Sequence, residues 1–206
     1  ANILVIGGGV VGINAARMAM GMGAQVTLAD RSVKRLQEID IWWGDRLQTV
    51  YSNRAIIESL LPRTDVVIGA VLVPGAAAPK VITREMLELM QSGSVLVDVA
   101  IDQGGCFETS MPTTHQDPTF QINSIVHYCV ANMPGAVARS STQALGNATL
   151  PFLLALADKG WQAACADDPH LLNGLNIHAG TVTHAAVADA LGYALSQPNL
   201  TLKTAA

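Results

Sequence analysis

Short apolar runs alternate with helix-like stretches over the first half of the 206-residue chain. The runs are mostly apolar throughout, as expected for strands that helices cover on both faces. They predict strands at Asn2–Ile6, Gln25–Ala29, Leu47–Tyr51, Asp65–Ile68 and Ser94–Asp98. The stretches between them predict helices at Val10–Met22, Val33–Ile39, Asn53–Leu61 and Thr83–Met90. This order of elements predicts an α/β domain with a parallel sheet.

The pattern changes after Asp98. Residues Ala100 to about Thr119 are rich in Gly, Thr and Pro and predict a long loop, of the kind that is usually functional inside a compact domain. A further strand is predicted at Ile125–Val130 and a helix at Ser140–Lys159. We therefore predict one domain over residues 1–138. Residues 139–206 form a C-terminal segment that is too short to make a core by itself.

Composition and charge narrow the class of protein. Hydrophobic residues make up 50% of the chain and charged residues 14%, which predicts surfaces buried between domains or subunits. The net charge is -4 and the sequence has no basic cluster, so it does not indicate binding to nucleic acid or to an anionic membrane. The three cysteines are odd in number and far apart, which favours buried, reduced thiols over disulfides or a metal site. We expect a cytoplasmic protein, and the abrupt start at Ala1 predicts a fragment.

The first strand leads into a glycine-rich turn with a recognisable spacing. Gly7, Gly9 and Gly12 form a GxGxxG pattern, and the predicted helix begins at Val10. In dinucleotide-binding domains the first glycine permits the tight turn, the second lets the backbone approach a pyrophosphate, and the third lets the helix pack on the strand. The helix N-terminus adds unpaired N–H groups for the anion. A turn that only shapes a strand-to-helix connection is the alternative.

An acidic residue stands where such a fold holds the adenosine ribose. Asp30 ends the second predicted strand, 18 positions after Gly12. A carboxylate there accepts hydrogen bonds from the ribose hydroxyls and repels a 2′-phosphate, which favours NAD over NADP. Arg31, Lys34 and Arg35 follow, and a nearby arginine is the usual way to accept that phosphate. The sequence thus predicts a doubly wound Rossmann fold with a C-terminal helical extension and a preference for NAD.

Longer motifs farther along resemble the L-alanine dehydrogenases. These motifs are IGAVLVPGA at 68–76, VDVAIDQGGCFE at 97–108, PTTH at 112–115 and YCVANMP at 128–134. The family oxidises L-alanine reversibly to pyruvate and ammonium with NAD and forms hexamers. The resemblance puts Arg35 and Ser52 beside Asp30 at the ribose, and Asp102 in the role of the catalytic aspartate. The remaining cofactor contacts are then assigned to Val10, Val71, Leu72, Val99, Ala100, Ile101, Asp102, Val130, Ala131, Asn132 and Met133.

An aspartate suits this reaction because amino-acid oxidation removes a proton from the substrate ammonium and adds water to an imine. The Asp102 carboxylate can stabilise developing positive charge or help order that water. Asp98, four residues earlier, is the competing candidate. None of the five histidines is our catalytic candidate, since the resemblance implies that the acid–base histidine and the substrate-gripping lysine and arginine come from an N-terminal substrate domain. The segment after about Arg139 would complete that domain.

One departure from the family pattern and two alternative functions stay open. Met111 stands where relatives often have an arginine, which puts one polar cofactor contact in doubt. The NAD-binding part of a proton-translocating transhydrogenase alpha subunit shares the predicted fold, although residues 102–106 favour the dehydrogenase. A module that senses NAD(H) without chemistry is the third hypothesis, and for it Asp102 would be dispensable.

Overall fold

The structure, a computed structural model, describes residues 1–71 and 79–198. The chain divides into two compact units, Ala1–Met133 and Pro134–Ala206. Leu72, a predicted cofactor contact, lies outside the described residues.

The first unit contains a seven-stranded sheet in the order β3-β2-β1-β4-β5-β7-β6 among its described residues. Every neighbouring pair is parallel except β6 with β7. The strands are β1 Asn2–Ile6, β2 Gln25–Asp30, β3 Gln48–Tyr51, β4 Val66–Gly69, β5 Val95–Asp98, β6 Thr119–Ile122 and β7 Ile125–Tyr128. The helices are α1 Val10–Gly21, α2 Val33–Trp43 and α3 Arg54–Leu60, with 3₁₀ helices at Gly44–Arg46, Leu61–Arg63, Glu85–Leu89 and Ile101–Gln103. The predicted α/β fold is confirmed.

Apolar residues cover both faces of the sheet. Leu4 and Ile6 of β1 belong to one buried cluster, together with Phe107. Val5, between them in the strand, packs on the other face with Ala16 of α1. Alternate side chains of a strand point to opposite faces, so a strand covered on both sides must be apolar at every position. This is the physical reason that the continuous runs were a reliable strand signal.

Three local features differ from the predictions. The expected helix at Thr83–Met90 is a 3₁₀ helix at Glu85–Leu89, whose tighter bonds include Met86 N–H to the Thr83 carbonyl. The expected loop to Thr119 is followed by an unpredicted strand, β6, which pairs antiparallel with β7. A two-residue turn joins them, since Asn123 and Ser124 both have positive φ, at 52° and 62°. The strand predicted to reach Val130 ends at Tyr128.

The second unit is mainly helical. Its elements are α4 Ala138–Asp167, α5 Pro169–Asn173, β8 Ile177–His178, β9 Thr181–Val182 and α6 Ala185–Leu191. Gly160 interrupts α4 with a φ of 74°. The predicted helix Ser140–Lys159 lies inside α4. This helix exposes several large apolar side chains: Leu145, Leu150, Phe152, Leu153 and Leu154. Among the described residues, no helix combines the length and apolar character needed to cross a membrane.

A buried histidine sits in β7. His127 is fully buried, its ring stacks on Phe120 at 4.8 Å, and its Nδ1 lies 3.0 Å from the Ile125 carbonyl. A carbonyl only accepts, so Nδ1 carries the hydrogen and Nε2 of the neutral ring faces the Thr109 hydroxyl at 2.8 Å. Burial lowers the pKa of His127, and the charge of Arg84 lowers it further, although the Ile125 carbonyl opposes the shift.

We expect His127 to make stability depend on pH below neutrality. Its folded pKa is lower than its unfolded value of about 6.5, so the unfolded chain binds more protons. The contribution is complete above about pH 6.5 and is lost as pH falls through the folded pKa. Denaturant unfolding from pH 8 to 5 should show this loss, and His127→Gln should reduce it, whereas the exposed His115→Gln should not. If the free energy of unfolding depended equally on pH in the parent and in both variants, His127 would not be the group responsible.

Candidate functional site

The site residues predicted from sequence follow the carboxyl ends of neighbouring parallel strands. The glycine turn follows β1 and Asp30 ends β2, while Val71 follows β4. The segment Val99 to Asp102 follows β5, and Val130 to Met133 follows β7. Strand order runs outward from β1 in both directions, to β2 on one side and to β4 on the other. Ligands of open α/β sheets bind at such a switch point, outside the carboxyl ends of the strands.

Two glycines of the turn are required by close backbone packing. A Cβ at Gly7, whose φ is 109°, would lie 2.6 Å from the Ala70 carbonyl oxygen. A Cβ at Gly12 would collide with the Gly7 carbonyl oxygen. Gly9 is different, because it has no positive φ and a Cβ there would meet nothing within 4 Å. Packing within the chain therefore does not require a glycine at position 9. Close approach of a ligand to the backbone is the remaining reason for a glycine there.

Asp30 is held against the glycine turn by two backbone groups. Its Oδ2 accepts the Gly8 N–H at 2.6 Å, and its Oδ1 accepts the Ser32 N–H at 2.7 Å. These bonds fix the carboxylate beside the first helix turn, where α1 has no side-chain cap. The N-terminus of α1 and a carboxylate thus border the same space, as a dinucleotide site requires.

Arg35, the candidate cation for a 2′-phosphate, is already engaged by protein groups. Its Nε donates to the Gly8 carbonyl at 2.7 Å, and its Nη1 donates to Glu38 at 2.8 Å. The guanidinium also lies 5.1 Å from the centre of the Trp42 ring. This arrangement ties α2 to the glycine turn. The Glu38 carboxylate also compensates the positive charge of Arg35. An arginine engaged in this way favours NAD over NADP, which carries the 2′-phosphate.

Two hollows flank the glycine turn. One, of about 470 Å³, is lined by residues 7–11, Asp30, Ser32, Arg35, Ala70 and Val71. The other, of about 200 Å³, is lined by Ile6, Gly7, Ala29, Asp30, Arg31, Ser52, Val71, Pro79 and Val81. Gly7, Asp30 and Val71 border both. Ser52 is buried, and its N–H donates to the Asp30 carbonyl at 2.8 Å. A further hollow of about 480 Å³ lies at the opposite edge, at the amino ends of β1 and β2, where this fold does not bind ligands.

Asp98, the competing catalytic candidate, is fully buried. Its carboxylate accepts the N–H groups of Ala100, Cys106 and Phe107, at 3.1, 2.9 and 3.2 Å, and the Ser110 hydroxyl. The Cys106 thiol also donates to it at 3.4 Å, and burial raises the pKa of that thiol, with the Asp98 charge adding to the effect. Asp98 thus organises the loop and does not face the hollows.

Asp102 is exposed and meets Asn132, which lies 30 positions farther along the chain. The Asp102 Oδ1 accepts the Asn132 N–H at 3.3 Å. Asn132 has a positive φ of 54°, and its carbonyl lies 3.0 Å from His115 Nε2. The tertiary structure therefore joins two of the sequence-predicted residues and adds His115.

The other predicted residues of this region divide by exposure. Ala100, Ile101 and Val130 are buried, Val99 and Met133 are half-buried, and Ala131 is exposed. The buried side chains anchor the backbone, so these residues would reach a ligand through main-chain groups.

The sequence pattern predicted no role for Lys80. Its ammonium donates to the Gly104 and Gly105 carbonyls at 2.6 and 2.7 Å. His115 was not a candidate either, since none of the five histidines was predicted to be catalytic. Both contacts join segments that are far apart along the chain, and neither residue belongs to a local pattern that could have indicated its partner.

Comparisons with known proteins agree on one family. The family described as "Alanine dehydrogenase/PNT, C-terminal domain" matches residues 1–185. The alanine dehydrogenase of Halomonas elongata is 64% identical over 93% of this chain and 52% of its own length. A solved L-alanine dehydrogenase has a TM-score of 0.83 and 47% identity, over 93% of this chain and 53% of its own. A transhydrogenase from Sinorhizobium meliloti has a TM-score of 0.71 and 26% identity, over 90% and 50%. The chain spans about half the length of the curated relatives it matches.

Proposed function

Because the chain belongs to the alanine dehydrogenase/PNT C-terminal domain family, we propose that it is the NAD(H)-binding part of an alanine dehydrogenase. The enzyme would convert L-alanine to pyruvate and ammonium, and back. The proposal rests on the residues found at the carboxyl edge of the sheet. There a glycine turn and Asp30 stand on one side of the switch point, and an exposed Asp102 meets Asn132 on the other. Identity favours this function over transhydrogenation, at 47% against 26% for the two solved structures.

The residues present fit NAD. Gly9 leaves open space beside the N-terminus of α1, where a pyrophosphate would accept main-chain N–H groups. Asp30 would accept the adenosine ribose hydroxyls, with Arg35 and Ser52 beside it. NAD, when bound, supplies the hydride acceptor.

Asp102 is the proposed catalytic residue. Its exposed carboxylate would stabilise positive charge that develops on the substrate nitrogen and would orient the water that attacks the imine. Asn132 keeps the carboxylate in place through its N–H. Ala100, Ile101 and Val130 would shape the nicotinamide end of the site through their main chain.

The first test is a fluorescence titration of this chain with NADH, together with an assay of alanine-dependent NAD reduction by the full-length protein that carries it. We expect the chain to bind NADH without turnover and the full-length protein to reduce NAD. A folded chain that does not bind NADH would contradict the cofactor assignment. A full-length protein that binds NADH but transfers hydride only to a second nucleotide would support the transhydrogenase instead.

Asp30→Ala should weaken NADH binding by about 1–3 kcal/mol, since ribose hydroxyls and the Gly8 N–H lose their acceptor. This corresponds to a roughly 5- to 150-fold rise in Kd. The exposed Asp40→Ala in α2 is the matched control and should leave Kd unchanged. Equal affinities of the two variants in the same titration would count against Asp30 as the ribose ligand.

We also propose a cytoplasmic homohexamer for the full-length protein. The exposed apolar side chains of α4 support a further buried interface for this helix. Light scattering on the full-length protein tests the proposal, and a mass equal to one chain would reject it.

A further inference from the structure

The loop that carries Asp102 is held by hydrogen bonds to the buried carboxylate of Asp98. Among the described residues, the groups that donate hydrogen bonds to the Asp98 carboxylate belong to residues 100–110, and they come from both ends of that segment. A buried charge is tolerated only when hydrogen bonds replace its water. Gly105 leaves the room for this, since a Cβ there would lie 2.8 Å from the Asp98 Oδ2.

A second group of opposite charge holds the same loop. The Lys80 ammonium donates to the carbonyls of Gly104 and Gly105, which have positive φ of 84° and 73°. The backbone next to Lys80 reinforces the contact, because the Val81 N–H donates to the Cys106 carbonyl at 2.7 Å. Lys80 therefore fixes the turn that begins two residues after Asp102.

Asp102 lies between these two attachments. Ala100, which precedes it, donates to Asp98, and Gly104, which follows it, accepts from Lys80. The short 3₁₀ helix Ile101–Gln103 spans the interval, and the Asp102 carboxylate at its centre reaches Asn132. A reacting group that moves by about 1 Å can lose about 100-fold in rate, so the restraint matters for chemistry more than for binding.

We propose that Lys80 and Asp98 are positioning residues for the reaction: they hold residues 100–106 in the conformation that presents the Asp102 carboxylate. The inference rests on the proposed function. It predicts that loosening the loop lowers kcat much more than NADH affinity, because the glycine turn and Asp30 keep their positions while the nicotinamide end is less well held.

Lys80 is the residue to test, because it is exposed and its replacement leaves the core intact. In the full-length protein, Lys80→Met should lower kcat for alanine oxidation about 10- to 100-fold. The Kd for NADH should rise by much less, since the glycine turn and Asp30 are untouched. Lys80→Arg, which keeps two donors for the two carbonyls, should restore most of the rate. Lys159→Met is the matched control, since Lys159 donates to Asp167 in the other unit, and it should behave as the parent.

Hydrogen exchange distinguishes a failure of the positioning role of Lys80 from a failure of the proposed function. Amides of residues 101–106 should exchange faster in Lys80→Met than in the parent and the Lys80→Arg variant, with NADH bound in each case. A parental kcat in Lys80→Met, or a loss of rate without faster exchange and without rescue by arginine, would overturn the inference. If the parent binds NADH but does not oxidise alanine, the proposed function fails. The exchange comparison then decides alone whether Lys80 holds the loop.

Discussion

Asp102→Asn in the full-length protein is expected to lower kcat for alanine oxidation by about 10²- to 10⁴-fold, the range for loss of a positioned acid–base group. The change preserves shape and one oxygen that can accept the Asn132 N–H, so it removes mainly the charge. The Kd for NADH should stay within a few fold, because the glycine turn and Asp30 are untouched. Stopped-flow and steady-state rates of NAD reduction, with a parallel NADH titration, measure both quantities.

The exposed Asp117→Asn is the matched control for this change, since Asp117 lies on the same long loop but its side chain is not part of the proposed site. It should retain the parental rate. A parental rate in Asp102→Asn would show that Asp102 is not the catalytic residue. A parental protein that binds NADH without oxidising alanine would favour the third hypothesis, a module that senses NAD(H) without chemistry.

Gly12→Ala is expected to destabilise the fold by about 2–3 kcal/mol and to lower NADH affinity with it. The new Cβ would collide with the Gly7 carbonyl oxygen, lie 3.0 Å from the Gly7 carbonyl carbon and lie 3.3 Å from Val5 Cγ1. These are backbone and core atoms, so α1 would have to move away from β1. Alanine gains up to about 1 kcal/mol over glycine inside a helix, which is too little to offset the clash.

Two glycines near Gly12 serve as comparisons in thermal and denaturant unfolding. Gly21→Ala, at the end of the same helix, meets nothing within 4 Å and should be neutral or slightly stabilising. Gly9→Ala also meets nothing and should unfold like the parent, but it should weaken NADH binding if a pyrophosphate approaches there. Equal stability of the Gly12→Ala and Gly21→Ala proteins would refute the packing argument.

The sequence indicated the fold, and the residues proposed for the adenosine end of the site, through apolar patterns and a known glycine spacing. The strands of the sheet were recognisable because burial on both faces demands apolar residues at every position. The β6–β7 hairpin was missed, although the alternation in Thr119–Ile122 and the pair Asn123 and Ser124 are a hairpin signal. The 3₁₀ helix at Glu85–Leu89 was also missed, since its apolar spacing does not differ from that of a short α-helix.

The division between sequence and structure follows whether a known spacing marks the contact. Gly7, Gly12 and Asp30 stand at the spacing of the dinucleotide-binding fingerprint, so that spacing predicted the site even though Asp30 bonds to Gly8 across 22 positions. The contacts of Asp102 with Asn132 and of Lys80 with the Gly104 and Gly105 carbonyls join residues 30, 24 and 25 positions apart. Such pairs form only when the folded chain brings distant segments together. Tertiary structure therefore decided that Asp98 is a buried support and that Asp102 is the exposed carboxylate.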